Sequence, residues 1–233
     1  MKRVVGAAVL TLNLMNGAAW AGDRPAVAEL FTSQGCSSCP PADALLGEVA
    51  RSGNVLTLAY HVDYWDSLGW DDPFASAAAT ERQRRYARRL GLSGIYTPQM
   101  VVDGALDVVG SDRRAVSTAL AGQRRGVDLR LTVANGALTV AVGAQKAAPA
   151  SDLVLVAYSE RAETKVKRGE NAGRSLTEYS IVRGLYPLGK WSGDAARYEF
   201  DLTRLDGEAT AVAVLLQEPD QGPIQGAATA KIR

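Results

Sequence analysis

The chain has only two cysteines, Cys36 and Cys39, and they stand where an apolar run, Ala26–Phe31, gives way to helical spacing of Leu45, Leu46 and Val49 within Ala42–Ala50. This junction constrains the fold more than any other feature. A Cys-x-x-Cys at a strand-to-helix turn is a redox arrangement. The helix start supplies free N–H groups and the positive end of its dipole, which favour an exposed thiolate on Cys36. Cys39, a turn away, then resolves a mixed disulfide. A static structural disulfide is the weaker reading, because closing so small a loop removes little entropy from the unfolded chain. Pro40 and Pro41 follow directly, so the regular helix is expected to begin only there, which weakens the pull of its dipole on Cys36.

The rest of residues 25–125 alternates strands and helices. Val55–Tyr60 is a nearly continuous apolar strand, as expected when both faces are covered. A polar, aromatic loop runs from His61 to Phe74, and Ala75–Leu90 is a helix stopped by Gly91. Gln99–Val102 and Leu106–Val109 flank the hairpin signal Asp103-Gly104, and Ser111 or Asp112 caps a last helix through Leu120. The order is β-α-β-α-β-β-α.

From Val127 the period changes. Val127, Leu129, Leu131 and Val133 alternate with other residues, Asn135-Gly136 turns the chain, and Leu138, Val140 and Val142 return. Further strands are expected at Leu153–Tyr158, Tyr179–Leu185, Arg197–Leu202, Ala209–Leu216 and Ile224–Ile232. This pattern predicts an antiparallel β-sandwich over residues 127–233, after a first domain over residues 22–126.

The first 21 residues read as a secretory signal peptide. Lys2 and Arg3 precede the apolar core Val4–Leu14, and Ala19-Trp20-Ala21 is a small-x-small cleavage site. The expected mature protein is secreted into the periplasm, where disulfides persist, and keeps no transmembrane anchor after cleavage. A formal charge of +1 argues against a strongly basic nucleic-acid binder. The single histidine, His61, rules out a two-histidine metal motif, and two cysteines are too few for a four-cysteine zinc site. No glycine-rich phosphate loop is present in the sequence.

Other residues bear on the chemistry. His61 follows the second strand, whose end is expected near where the first strand meets the cysteines. It is a candidate to stabilise a Cys36 thiolate or relay protons, or to join both cysteines in a soft metal site. A loop histidine bonded to its neighbours is an equal alternative. Glu29 interrupts the first strand. Buried beneath Cys39 it would accept the resolving thiol's proton, but a solvated edge position is the favoured reading. Trp65 and Trp70 are expected to pin their loop rather than line a groove. Arg82, Arg84, Arg85, Arg88 and Arg89 are expected on a solvated helix face. Lys165–Arg174 is a long basic loop around a Gly-Glu-Asn-Ala-Gly core, either docked near the cysteines or an exposed tip.

Four stretches carry a resemblance. They are Glu29–Asp43 around the cysteines, His61-Val62-Asp63-Tyr64-Trp65-Asp66, Tyr96–Gly104 and Arg168–Arg174. Together they resemble a family of secreted bacterial proteins catalogued as a domain of unknown function. The resemblance implies a thioredoxin-like fold over residues 26–125, and implies no established activity. In such a fold Thr97-Pro98 is a cis pair facing the cysteines, with Thr97 offering backbone groups to an extended peptide. The expected function is a secreted thiol–disulfide oxidoreductase acting on an exported thiol or disulfide protein, a redox partner or a small disulfide. Cys36 attacks, Cys39 resolves, Thr97 and Pro98 face the substrate, and His61 and Glu29 are candidate modulators. No cofactor is required. The alternatives are a copper(I) metallochaperone using Cys36, Cys39 and His61, and a non-catalytic interaction protein.

Overall fold

The computed structural model describes residues 22–233. The leader expected over residues 1–21 lies outside the described residues. After a short strand β1 (Gly22–Arg24) come β2 (Ala26–Thr32), α1 (Pro40–Ser52), β3 (Val55–His61), α2 (Ala77–Arg89), β4 (Gln99–Val102), β5 (Leu106–Val109) and α3 (Arg113–Leu120). From β2 onward this is the order read from the sequence. β2 pairs in parallel with β3 on one side and antiparallel with β4 on the other, and β5 lies beyond β4.

The apolar runs follow from what covers them. Along β2, Ala28 and Leu30 pack with Ala42, Leu45 and Leu46 of α1 and Val116 of α3, while Val27 and Phe31 join the core that contains Ala79 and Tyr86 of α2. A strand with helices on both faces has no polar side to present. α1 begins at Pro40 with both prolines in its first turn, and Gly53 closes it in a left-handed conformation at φ 74°. Asp112 caps α3 by accepting from the Ala115 N–H.

Past α3, β6 (Arg124–Gly126) pairs with β1. Then come β7 (Leu129–Ala134), β8 (Ala137–Val142), β9 (Ser151–Lys165), β10 (Ser175–Trp191), β11 (Ala196–Asp201), β12 (Ala211–Gln217) and β13 (Ile224–Lys231). These strands divide between two sheets instead of forming a sandwich of their own. β7, β8 and β11 make a three-stranded sheet. The other four extend the first half's sheet in the order β13-β12-β9-β10-β3-β2-β4-β5. The seam is a parallel pairing of β10 with β3 at Ile181 and Ala59. The small sheet places Leu138, Val140 and Phe200 in one core with Leu153 and Leu155 of β9 and Val212 and Val214 of β12. Among the described residues the architecture is therefore mostly β, with mixed sheets and three α-helices.

Two features bring the second half to the cysteines. β9 and β10 are 15 and 17 residues long, and the tip of their hairpin reaches back over the first half. α1 seats closely on β10, because Gly47 has no side chain; a Cβ there would run into the Tyr179 ring.

Candidate functional site

Cys36 and Cys39 form a disulfide in the turn between β2 and α1, with Cα atoms 5.4 Å apart. The Cys36 N–H donates to the Ser33 carbonyl and the Cys39 N–H to the Cys36 carbonyl. The Cys39 carbonyl then accepts from Ala42 and Asp43, so the helix starts after both cysteines, as the two prolines require. The sequence reading expects an exposed Cys36. The structure corrects this: both cysteines are 0% exposed, and the open positions of the turn are Ser37 and Ser38.

The β9–β10 tip packs on this turn, so the loop at Lys165–Arg174 is docked beside the cysteines. Asn171 is buried and donates from Nδ2 to the Gln34 carbonyl at 2.9 Å and to the Cys36 carbonyl at 3.0 Å. Its Oδ1 accepts from Arg174 at 2.8 Å, which fixes the orientation of the carboxamide. Glu170 accepts from the Ser37 N–H at 3.2 Å. Gly169, at φ 74°, lies against Trp70, where an added Cβ would come within 3.2 Å of the tryptophan's Cβ.

Adjoining this turn is a buried polar cluster drawn from α1, β3, β10 and the loop after β3. His61 Nδ1 lies 2.7 Å from Asp72 Oδ2, and Nε2 lies 3.8 Å from Glu178 Oε1. Gln34 ties the parts together. Its N–H donates to Asp72, its Nε2 to Glu178 at 2.7 Å, and its Oε1 accepts from the Trp70 indole. Thr32 donates to Asp43 at 2.7 Å. Burial opposes protonation of His61, but the surrounding carboxylates outweigh it, Asp72 first, and raise its pKa to about 9. Burial raises Asp43 to about 7 and pushes Glu178 up as well. Burial also opposes ionisation of Asp72, but the His61 charge and two backbone donors hold it below the usual carboxylate value. A cleft of about 290 Å³ opens beside the helix start, with Pro40, Asp43 and Ala44 on one wall and Arg174, Leu176 and Thr177 on the other.

Thr97-Pro98 is cis. It connects to the cysteine turn through Trp65, whose indole donates to Thr97 Oγ1 at 2.9 Å and whose Cβ and carbonyl pack on Gly35. Both Trp65 and Trp70 thus pin their loop, as expected.

Glu29 departs from both readings. It is 0% exposed, but it lies on the α2 side of β2, away from the α1 side and Asp43. There it accepts from Arg82 at 2.7 Å and from the Tyr86 hydroxyl. Arg82 is correspondingly buried, while Arg84, Arg85, Arg88 and Arg89 are exposed as expected. A charge leaves water when a fixed opposite charge meets it, and Arg82 supplies that.

The copper ligand set is not assembled. The two sulfurs are bonded to each other, and each nitrogen of His61 faces a carboxylate. Among the described residues no group of three or more His, Cys, Asp or Glu side chains is arranged to hold a metal.

Sequence reasoning singled out neither Gln34, Asp72 nor Glu178, and gave Asp43 and Asn171 no role. The signal for Asp43 was its place four residues after Cys39, on the same helix face. For Asn171 it was a polar residue between two glycines, Gly169 and Gly173. Asp72 and Glu178 carry no local mark.

A family model described as "Protein of unknown function (DUF1223)" matches residues 27–217. The crystal structure of a protein from Agrobacterium tumefaciens is similar at 31% identity and a TM-score of 0.79, covering 91% of this chain and 97% of that one. HBP35 of Porphyromonas gingivalis shares the fold at 14% identity and a TM-score of 0.63, covering 90% of this chain and 75% of that one. No curated protein matches the chain.

Proposed function

The chain belongs to this family of proteins of unknown function, so its activity must be read from the site, and we propose that it is an exported thiol–disulfide oxidoreductase on a thioredoxin-like scaffold. The observation that carries the reading is the Cys36–Cys39 pair at the β2–α1 junction, linked through Trp65 to Thr97 and the cis Pro98. The strand order β3-β2-β4-β5, with helices on both faces, supports the scaffold. The leader-like residues 1–21 support export to the periplasm, and a disulfide suits that compartment. The two sequence halves are best taken as a redox domain and a β domain that furnishes its cover.

The chemistry needs only the two cysteines. A partner thiolate attacks the Cys36 sulfur, the Cys36–Cys39 bond breaks, and Cys39 leaves as a thiolate and takes up a proton. A second partner thiol then attacks the mixed disulfide and frees Cys36. The partner leaves as a disulfide, and two electrons and two protons stay on the protein. In the reverse direction Cys36 attacks and Cys39 resolves, through the same intermediate.

The test is a Cys39→Ala variant expressed in an exporting cell. It should accumulate covalent adducts that vanish on reduction and are absent from Cys36→Ala. Non-reducing gels free of such adducts would overturn the reading.

A further inference from the structure

We propose that the loop Lys167–Arg174 is a latch over the disulfide and that Asn171 is the positioning residue that holds it shut; the proposal rests on the reading that Cys36 is the sulfur attacked. The loop is built to move as a unit. At its neck the Val166 N–H donates to the Arg174 carbonyl and the Gly173 N–H to the Val166 carbonyl, each at 2.9 Å. Within it, Ala172 donates to Gly169 and Arg174 to Asn171, so the loop carries its own hydrogen bonds. Gly169 packs on Trp70, and the loop's hydrogen bonds to the first half run mainly through Asn171. The two donors of one carboxamide occupy the carbonyls of Gln34 and Cys36, on either side of Gly35, and Glu170 adds a third contact at the Ser37 N–H.

The geometry has a chemical consequence. A thiolate displaces a sulfur only if it can reach it, and Cys36 is 0% exposed while the latch is closed. Opening leaves the two carbonyls to solvent or to an incoming donor. Asn171 therefore controls the rate at which the disulfide exchanges, and fixes the backbone beside the attacked sulfur, without itself reacting.

The test uses the oxidised mature protein and dithiothreitol, so it needs no physiological partner. Dithiothreitol gives up two electrons and two protons as its thiols close to a cyclic disulfide, and Cys36 and Cys39 become thiols. Appearance of protein thiols is followed by quenched alkylation. Asn171→Asp keeps the size of the side chain but replaces its two donors with an acceptor. Two buried hydrogen bonds of ordinary strength set the expected acceleration at about tenfold or more. Asn171→Ala should behave alike, and trypsin should cut after Lys167 or Arg168 faster in both variants than in the wild type. Glu170 is exposed, so Glu170→Ala leaves the fold intact and should speed reduction by about twofold, as loss of one solvent-facing bond implies. Wild-type rates in Glu170→Ala, and in whichever Asn171 variants fold, would overturn the latch. If the accelerations appear while Cys39→Ala traps no partner, the latch stands and the oxidoreductase reading falls. If adducts form but the rates do not change, the reverse holds.

Discussion

Nε2 of His61 faces Oε1 of Glu178 across 3.8 Å, and neither atom has a hydrogen-bond partner. With the imidazole protonated, the other nitrogen bonds Asp72 while this one points at the second carboxylate, so the cation is held between two acids. This arrangement and the acids around it make the fold sensitive to pH in a direction that can be stated.

Stability should fall as the solution turns alkaline. His61 has a folded pKa of about 9 against an ordinary value of 6.5, so its contribution is complete below 6.5 and lost as pH rises through 9. Asp43 is raised from 3.8 to about 7, so its contribution is complete below 3.8 and lost as pH rises through 7. The two losses add in sign. Urea midpoints of the oxidised protein should therefore decline between about pH 5 and pH 9. His61→Gln should flatten the upper part of that decline and Asp43→Asn the lower part. A midpoint that rises over this range would contradict the assignment.

Glu29 should matter for folding and not for thiol chemistry. Replacing it with leucine strands the buried Arg82 charge, which typically costs about 3–5 kcal/mol. Chemical denaturation of Glu29→Leu should show a loss of that size. The dithiothreitol reduction rate of the folded protein should stay at the wild-type value, since Glu29 lies on the α2 side of β2.

Gly47→Ala should destabilise by about 1–3 kcal/mol, the usual effect of forcing a methyl into a filled contact. The added Cβ meets the Tyr179 ring, so α1 and β10 must part or the ring must turn. Tyr179→Ala in the same chain should recover most of the loss. A double mutant no better than the single would place the strain elsewhere.

Residues 22–126 alone should not unfold cooperatively. Their α2-side core runs on through Val156 of β9, Ala213 and Leu215 of β12 and Ile224 of β13, and cutting the chain exposes that face and the β3 edge. A thermal melt of the fragment by circular dichroism should lack a sharp transition, whereas residues 22–233 should show one.

Much of the fold was legible because it is local. The apolar run into Cys36, the two prolines after Cys39, and the Asp103-Gly104 and Asn135-Gly136 turns each state their structure within a few residues. At those turns the residues take left-handed φ values of 53° and 68°, and of 51° and 75°, which these residue types tolerate. The cysteine pair and the order of strands and helices could be read from the chain itself, whereas the cis proline was expected only from the resemblance.

Tertiary structure alone decided which strands are neighbours and what covers the cysteines. Alternation tells a strand which side faces inward but not which strand lies beside it, so β9 and β10 read equally well as part of a separate sandwich or of the shared sheet. The burial of Glu29 depended on Arg82, 53 residues away. The cluster depended on Gln34 meeting Glu178 across 144 positions, and the docking of the loop on Asn171 meeting the Cys36 carbonyl across 135. Contacts at such separations leave no periodicity in the chain. They arise when a long hairpin folds back and buries polar groups that must then find partners.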